Sequence, residues 1–151
     1  MTSDNITYSE LTERAHTYLA SARKAVDSMR QFLLTRHLVD PYATVAEFVL
    51  AAIACGPLQI RELPGQQEAL GVALGNELAE RLGWAWMCVT DAWGESLAVV
   101  APTVATHAYP LDWIGKRLDG GGQFEDLPDW FEGVIQICMK TAAEAGPMRR
   151  G

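Results

Sequence analysis

Leucines recur at every fourth position in the stretch that begins at residue 70. One face of a helix would carry the whole row, which consists of Leu70, Leu74, Leu78 and Leu82. Gly71 and Gly75 lie in the next row, although glycine inside a helix costs about 1 kcal/mol relative to alanine. We therefore predict an amphipathic helix that ends at Gly83 and whose glycine row allows close approach of a neighbouring backbone.

The residues after this helix predict a small antiparallel sheet. The run 84–91 has apolar residues at both alternating sets of positions, as in a strand that is covered on both sides. Gly94 supplies the conformational freedom that a tight hairpin needs, and 96–101 returns as the partner strand. A third strand is predicted over 103–109, because prolines bound it on either side. Residues 111–118 then return to helical spacing.

The first third of the chain is predicted to be helical. Thr7 and Glu10 have the spacing of a capping box, and 9–38 carries apolar residues three and four positions apart. A helix of that length either breaks near Ser21 or forms one arm of a helical hairpin. Residues 44–55 are almost wholly apolar, and we expect them to form the most buried helix.

A C-terminal helix is predicted to begin at Asp126 or Pro128 and to end at Ala145. The elements together predict a single α+β domain over 1–151, with about five helices packed around a three-stranded antiparallel meander. Its parts are a helical N-terminal segment at 7–56, an α+β region at 64–146 and, within that region, the hairpin 84–101 and the strand 103–109.

Three motifs in the middle of the chain carry a resemblance to a known family. They are LGVALGNEL in the leucine-rich helix, W-x-x-x-x-D-x-W-G followed by LAV in the hairpin, and YPLDWIGKRLDGG after the third strand. As an ordered set, covering about residues 66–132, they resemble the bacterial domain-of-unknown-function family 3806. The resemblance implies an α+β bacterial domain without an assigned activity, and it supplies no catalytic residue.

Charge is distributed unevenly along the chain. Residues 1–61 contain six basic and six acidic residues, whereas 62–151 contain six basic and thirteen acidic ones, which accounts for the net charge of −7. Five acidic residues follow one another without an intervening basic residue, at Asp119, Glu125, Asp126, Asp129 and Glu132. Such a surface repels nucleic acid and anionic membranes and attracts a basic protein, although a merely solvating role is the simpler interpretation.

Cysteine usage and hydropathy point to the cytoplasm. Cys55, Cys88 and Cys138 are odd in number, far apart and set among apolar neighbours, so we expect reduced core thiols rather than a disulfide or a metal site. The first residues lack the order of a signal peptide, and the longest apolar run, 45–55, is too short to span a bilayer. We therefore expect a cytoplasmic protein that does not bind membranes or nucleic acid.

No catalytic or cofactor motif stands out. The histidines at 16, 37 and 107 lack metal-ligand spacing, and we predict no metal and no cofactor. Asp91, Glu95 and Asp112 flank the hairpin and the next helix, where two carboxylates, or His107, could support acid–base chemistry. Hairpin corners and first helical turns, however, favour aspartate for purely structural reasons.

Trp93 lies at the predicted hairpin tip, where an aromatic side chain either folds back as a lid or is offered to a partner. We therefore predict a non-enzymatic protein-binding protein, such as an immunity protein or antitoxin that neutralises a toxin with a basic surface. The predicted interface comprises Trp93, Asp91, Glu95, Asp119, Glu125, Asp126, Asp129 and Glu132. The alternatives are a small hydrolase with a carboxylate or histidine site near the hairpin, and a module that forms homodimers through the helix that begins at Val45.

Overall fold

The computed structural model describes residues 6–55, 66–114 and 126–147, without the side chains of residues 55, 66 and 67. These residues form an α+β fold in which four α-helices accompany a four-stranded antiparallel sheet of order β1-β2-β3-β4. The strands are β1 Thr7–Ser9, β2 Ala85–Asp91, β3 Gly94–Val100 and β4 His107–Ala108. The helices are α1 Glu13–Thr35, α2 Val45–Cys55, α3 Gln66–Leu82 and α4 Leu127–Glu144. The α+β class is confirmed, while the predicted counts of three strands and about five helices differ from this arrangement.

The additional strand comes from the N-terminus, where the sequence predicted a helix cap. Thr7 pairs with Thr90, and Tyr8 pairs with Val89, so β1 is the edge strand beside β2. The predicted capping box of Thr7 with Glu10 is therefore wrong, and the N-terminal segment is not helical throughout. The N-cap of α1 is instead Thr12, whose Oγ1 accepts a hydrogen bond from the backbone N–H of Ala15 at 3.1 Å.

Helix α1 runs without a break near Ser21 and ends in a tight reversal. His37 has a φ of 56°, and the N–H of Leu38 bonds back to the carbonyl of Leu33 at 2.9 Å. This is the motif that usually places glycine in the left-handed position. The same motif ends α3, where Gly83 has a φ of 71° and the N–H of Trp84 bonds to the carbonyl of Ala79, as the sequence predicted for Gly83.

The capping box that the chain does form opens α2. The Thr44 hydroxyl accepts from the N–H of Glu47 at 3.2 Å, and the Glu47 carboxylate accepts from the N–H of Thr44 at 2.8 Å. The helix is deeply buried, as predicted, because Phe48, Val49 and Ile53 are inaccessible to solvent. They pack in the main core with α1, α3 and α4.

Helix α3 meets its neighbours at its two glycines: at Gly71 a backbone approaches closely, as predicted, whereas at Gly75 the neighbour is the side chain of Trp86. A β-carbon at Gly75 would lie 2.3 Å from Cζ2 of Trp86, and one at Gly71 would lie 2.6 Å from the carbonyl oxygen of Pro110. Trp86 thus packs directly on the α3 backbone, and its indole N–H donates to Oδ1 of Asn76 at 2.8 Å. Because these two glycines have no β-carbon, the sheet and the turn after β4 can pack directly against this helix.

The third predicted strand is much shorter than 103–109. Strand β4 comprises only His107 and Ala108, which pair with Val100 and Val99. Between β3 and β4 the chain makes a compact bend, in which the N–H of Thr106 bonds to the carbonyl of Val104 at 2.9 Å. Val104 instead forms an isolated antiparallel β-bridge with Pro147, just after α4. The bend therefore contacts the segment that follows α4.

Helix α4 agrees with its predicted bounds to within a residue or two, and its buried side of Leu127, Phe131, Ile135 and Cys138 joins the main core. The predicted helix 111–118 lies partly outside the described residues. Its first part is a 3₁₀ turn over Pro110–Asp112, which is followed by helical backbone at Trp113 and Ile114. None of the helices described is both long and apolar enough to cross a membrane.

Candidate functional site

The hairpin between β2 and β3 holds its tip in a fixed conformation. Asp91 pairs with Gly94, and the Asp91 carboxylate accepts a hydrogen bond from the N–H of Trp93 at 2.8 Å. Gly94 has a φ of 121°, a conformation that side chains with a β-carbon rarely adopt. The Trp93 side chain is 91% exposed, so it does not fold back as a lid. The turn therefore presents a large apolar ring to solvent.

The face of the sheet that points away from the helices carries a polar aromatic cluster, formed by Tyr8, Asp91, His107 and Tyr109. The Tyr8 hydroxyl lies 3.0 Å from Nδ1 of His107 and thus joins the two edge strands across the sheet. The His107 ring meets those of Tyr8 and Tyr109 edge to face, with centroid distances of 5.6 and 4.8 Å. Asp91 lies near Tyr109, where its carboxylate contributes to raising the pKa of the Tyr109 hydroxyl.

Burial controls the ionisation of this cluster. It lowers the pKa of His107 below the ordinary histidine value, and the negative charge of Asp91 only partly opposes that effect. Burial also raises the pKa of Tyr8 and, together with Asp91, that of Tyr109. At neutral pH the cluster therefore contains a neutral imidazole, two protonated phenols and a carboxylate.

Glu95 lies on the other side of the sheet, where it lines a cleft of about 320 Å³ that we call the hairpin cleft. The walls come from α1, the first turn of α3, and strands β2 and β3. Within the described part of the chain, Glu95, Arg14 and Glu68 supply its charged groups. The Tyr18 hydroxyl donates to Oε2 of Glu68 at 2.5 Å. Burial and, to a smaller extent, this hydrogen bond raise the pKa of Tyr18 well above its usual value.

A second cleft, of about 270 Å³, is lined by two acidic residues of α4. Asp129 and Glu132 face Glu47 of α2 and Glu77 of α3 across it. Arg81 forms an ion pair with Glu132, with a second contact from its Nη2 to Oε2 at 3.0 Å. Hydrogen bonding to Arg81 lowers the pKa of Glu132. Glu132, the last residue of the acidic run that begins at Asp119, is therefore paired with a basic residue of another helix, α3.

The structure places the predicted interface residues in separate regions. Asp91 belongs to the polar aromatic cluster, whereas Glu95 belongs to the hairpin cleft. Glu68 at one end of α3 lines the hairpin cleft, and Arg81 near its other end pairs with Glu132. At about 1.5 Å per residue, these two ends are roughly 20 Å apart. Asp126 is exposed at the start of α4. Asp119 and Glu125 lie outside the described residues.

Of the residues considered for acid–base chemistry, Asp91 lies close enough to His107 for its charge to act on the imidazole. Glu95 lies apart from them in the hairpin cleft. Asp112 contributes only through its charge, which raises the pKa of Tyr109. Sequence reasoning missed Tyr8, since it assigned that residue to a helix cap. The β-branched and aromatic run Ile6-Thr7-Tyr8 was the signal that could have identified a strand.

Cys88 and Cys138 are buried free thiols, and burial raises the pKa of Cys138. The side chain of Cys55 lies outside the described part of the chain. Within that part, no group of three or more His, Cys, Asp or Glu residues is arranged to hold a metal ion.

Comparison with known proteins identifies one family. The family model described as "Domain of unknown function (DUF3806)" matches residues 59–128. These residues include all of α3, the hairpin, β4 and the 3₁₀ turn. They therefore include Trp93 and three members of the polar aromatic cluster, Asp91, His107 and Tyr109. Searches of curated proteins and of solved structures gave no match. The resemblance to this family that the sequence motifs predicted is therefore confirmed over residues 59–128.

Proposed function

We propose that the protein acts by binding another protein, through the Trp93 hairpin together with the acidic surface of 119–132. The observation that carries the proposal is the 91% exposure of Trp93 on a turn that Asp91 and Gly94 hold in place. A tryptophan loses little conformational entropy when it is buried in an interface, and such residues often dominate binding energy. A fixed turn reduces that cost further.

The acidic residues supply the second part of the interaction. The net charge of −7 arises in residues 62–151 and attracts a basic protein. The range of this attraction becomes shorter as the salt concentration rises. An ordinary interface of about 800 Å² per partner is roughly 30 Å across, so one partner can reach both ends of α3. Neutralisation of a basic toxin, as by an immunity protein or antitoxin, is the form of binding that we propose.

Association and dissociation rates test the two parts separately. After capture of the partner from a native lysate, Asp126→Lys combined with Asp129→Lys should slow association roughly tenfold or more at low salt. The control is Asp27→Lys combined with Glu144→Lys, which changes the net charge equally at exposed sites on α1 and at the far end of α4. Equal slowing by both variants would assign the effect to overall charge and would contradict an interface at the start of α4.

Trp93→Ala should instead accelerate dissociation, by a factor on the order of 30 or more for a residue at an interface centre. Ile137→Ala is the matched control, because Ile137 is 65% exposed on the later part of α4. Recovery of no protein partner, or binding that is indifferent to salt and to Trp93→Ala, would reject the proposed function.

A second candidate function is hydrolysis at the polar aromatic cluster. The observation in its favour is the approach of Asp91 and His107 to Tyr109, which leaves a neutral imidazole able to act as a base at pH 7. This function requires that His107→Gln and Asp91→Asn abolish a turnover and that Trp93→Ala leaves it unchanged. Turnover that survives both cluster substitutions would eliminate this candidate.

A further inference from the structure

The hairpin cleft has walls and a rim of different character. Its floor and sides are formed by Ala15, Cys88, Leu97 and Leu111, of which Ala15 and Cys88 are buried. Glu68 and Glu95 also line the cleft, and both are exposed, so they form its polar rim. A volume of about 320 Å³ lies at the lower end of the range for ligand sites, which is roughly 300–1,000 Å³. The cleft can therefore enclose one extended side chain and its flanking backbone.

We infer that the hairpin cleft binds a lysine side chain of the partner protein, with the ammonium group at Glu68 and Glu95 and the aliphatic stem against the apolar walls. This inference rests on the proposed protein-binding function, since it names the group that the partner inserts. A lysine side chain has the required character, because its four methylene groups pack on apolar surface while its terminal charge stays at the rim.

Charge favours a cation in the cleft. Among the described residues, the lining contains two carboxylates and one guanidinium, that of Arg14, which together carry a net charge of −1. The raised pKa of Tyr18 keeps its hydroxyl protonated, and that hydroxyl donates to Glu68. Among the described residues Glu95 has no ion-pair partner. An incoming ammonium group would therefore give Glu95 an ion-pair partner and offset the excess negative charge of the described lining.

Hydrogen-bond geometry favours lysine over arginine. One oxygen of Glu68 already accepts the Tyr18 hydroxyl, which occupies one of that oxygen's two lone pairs and crowds a parallel, bidentate contact with a guanidinium. An ammonium group acts as a point charge with three donors that rotate freely, and it can bond the remaining oxygen of Glu68 while it contacts Glu95.

Position links the cleft to the exposed tryptophan. Glu95 follows Trp93 by two residues, a distance of about 7 Å along an extended chain. A partner segment whose apolar surface covers Trp93 would therefore bring a neighbouring lysine to the cleft. The two contacts together would fix both the position and the direction of that segment on the hairpin.

A small probe tests the cleft without the partner. Nα-acetyl-lysine N-methylamide, titrated into the ¹⁵N-labelled full chain, should shift the amide resonances of Ala15, Cys88 and Leu97, with a dissociation constant on the order of millimolar for so small a ligand. The norleucine analogue has a comparable apolar stem without the charge, and it should bind at least roughly fivefold more weakly. The arginine analogue should also bind more weakly.

Matched variants locate the charge. Glu95→Gln should weaken binding of the lysine probe roughly three- to tenfold, whereas Glu80→Gln should leave it unchanged, because Glu80 is exposed near the far end of α3. Equal binding of the lysine and norleucine probes, equal effects of the two variants, or no shifts at the cleft would each overturn the inference. Tighter binding of n-butylamine than of the lysine probe would assign the cleft to free amines and would overturn it as well.

The experiment separates this inference from the proposed function. If a partner is captured through Trp93 but the lysine probe does not bind, the cleft assignment fails and the protein-binding function stands. If the probe binds but no partner is captured, the protein-binding function fails, and with it the claim that the lysine belongs to a partner.

Discussion

The two faces of the sheet are stabilised in different ways. On the helix side, Trp86 packs where α3 has a glycine instead of a side chain, and the contact depends on shape. On the opposite side, Tyr8 and its neighbours lie over Val89, Ala98 and Val100, which are buried, and that small cluster includes no residue of the four helices. Its contacts depend on hydrogen bonds and on the ionisation of His107.

This difference separates two kinds of sensitivity. A close-packed contact without free space responds to the addition of a single methyl group, because neither backbone can move without disturbing the core. A polar cluster at a sheet face responds to the loss of one donor and to pH, because a buried group without its hydrogen bond or with the wrong charge is costly. Substitutions on each face should therefore fail in recognisably different ways.

The largest effect is expected for Gly71→Ala on the helix side. The new β-carbon would lie 2.6 Å from the carbonyl oxygen of Pro110 and 3.1 Å from the α-carbon of Leu111, both of which are backbone atoms. We expect a loss of about 2–3 kcal/mol in the free energy of unfolding, measured by urea denaturation.

Gly133→Ala in α4 is the control, because a β-carbon there meets nothing within 4 Å. Its higher helix propensity should increase the stability by up to about 1 kcal/mol. If both glycine substitutions stabilise the protein, α3 does not pack on the turn as closely as described, and the contrast between the two faces disappears.

Tyr8→Phe on the outer face should have the next largest effect. The change removes the hydroxyl that lies 3.0 Å from Nδ1 of His107 and leaves that nitrogen without its partner. We expect a loss of about 1–2 kcal/mol in the free energy of unfolding. Tyr42→Phe is the control, since the Tyr42 side chain is 94% exposed and should tolerate the change. Equal, negligible losses would mean that the cluster only covers the sheet.

The helix side of this comparison was largely predictable from the sequence. The four-residue spacing of leucines, the Gly71 and Gly75 row, and the hairpin glycine are local signals, and each agrees with the structure. Local signals suffice there because one amphipathic helix and one hairpin contain most of the information about how they pack.

The outer face was not predictable in this way. Thr7 with Glu10 and Thr44 with Glu47 show the same capping-box pattern, yet only the second pair caps a helix. What decides the first is the pairing of Tyr8 with Val89, a contact between distant parts of the chain that no local pattern encodes. The polar aromatic cluster depends on the same long-range arrangement. The sequence therefore identified Asp91 and His107 as candidates but could not bring them together, and it missed Tyr8.

Acid should weaken the outer face in particular. The pKa of His107 is lower in the folded protein than in the unfolded chain, so the unfolded chain binds more protons as the pH falls below about 6.5. Stability is therefore retained above that value and is lost as the pH falls from there towards the folded-state pKa. We expect this loss to appear as a fall in the free energy of unfolding, measured by urea denaturation at successive pH values.

His107→Gln serves as the control for this titration, because glutamine does not titrate, and its stability should change less between pH 7 and pH 5 than that of the wild type. His16 and His37 are exposed and remain in both proteins, so they contribute the same background. Parallel pH profiles for the two proteins would show that protonation of His107 does not destabilise this face.

The smallest effect on stability is expected for Trp93→Ala at the hairpin tip, which belongs to neither face. Trp93 is 91% exposed, and the bond that fixes the turn uses its backbone N–H, which alanine retains. The free energy of unfolding should therefore change by less than about 0.5 kcal/mol, in contrast to the outer-face loss from Tyr8→Phe. A larger loss in urea denaturation would show that the indole packs on the sheet and is not available to a partner. A near-zero change, combined with faster dissociation of the captured partner, would place the contribution of Trp93 in binding rather than in folding.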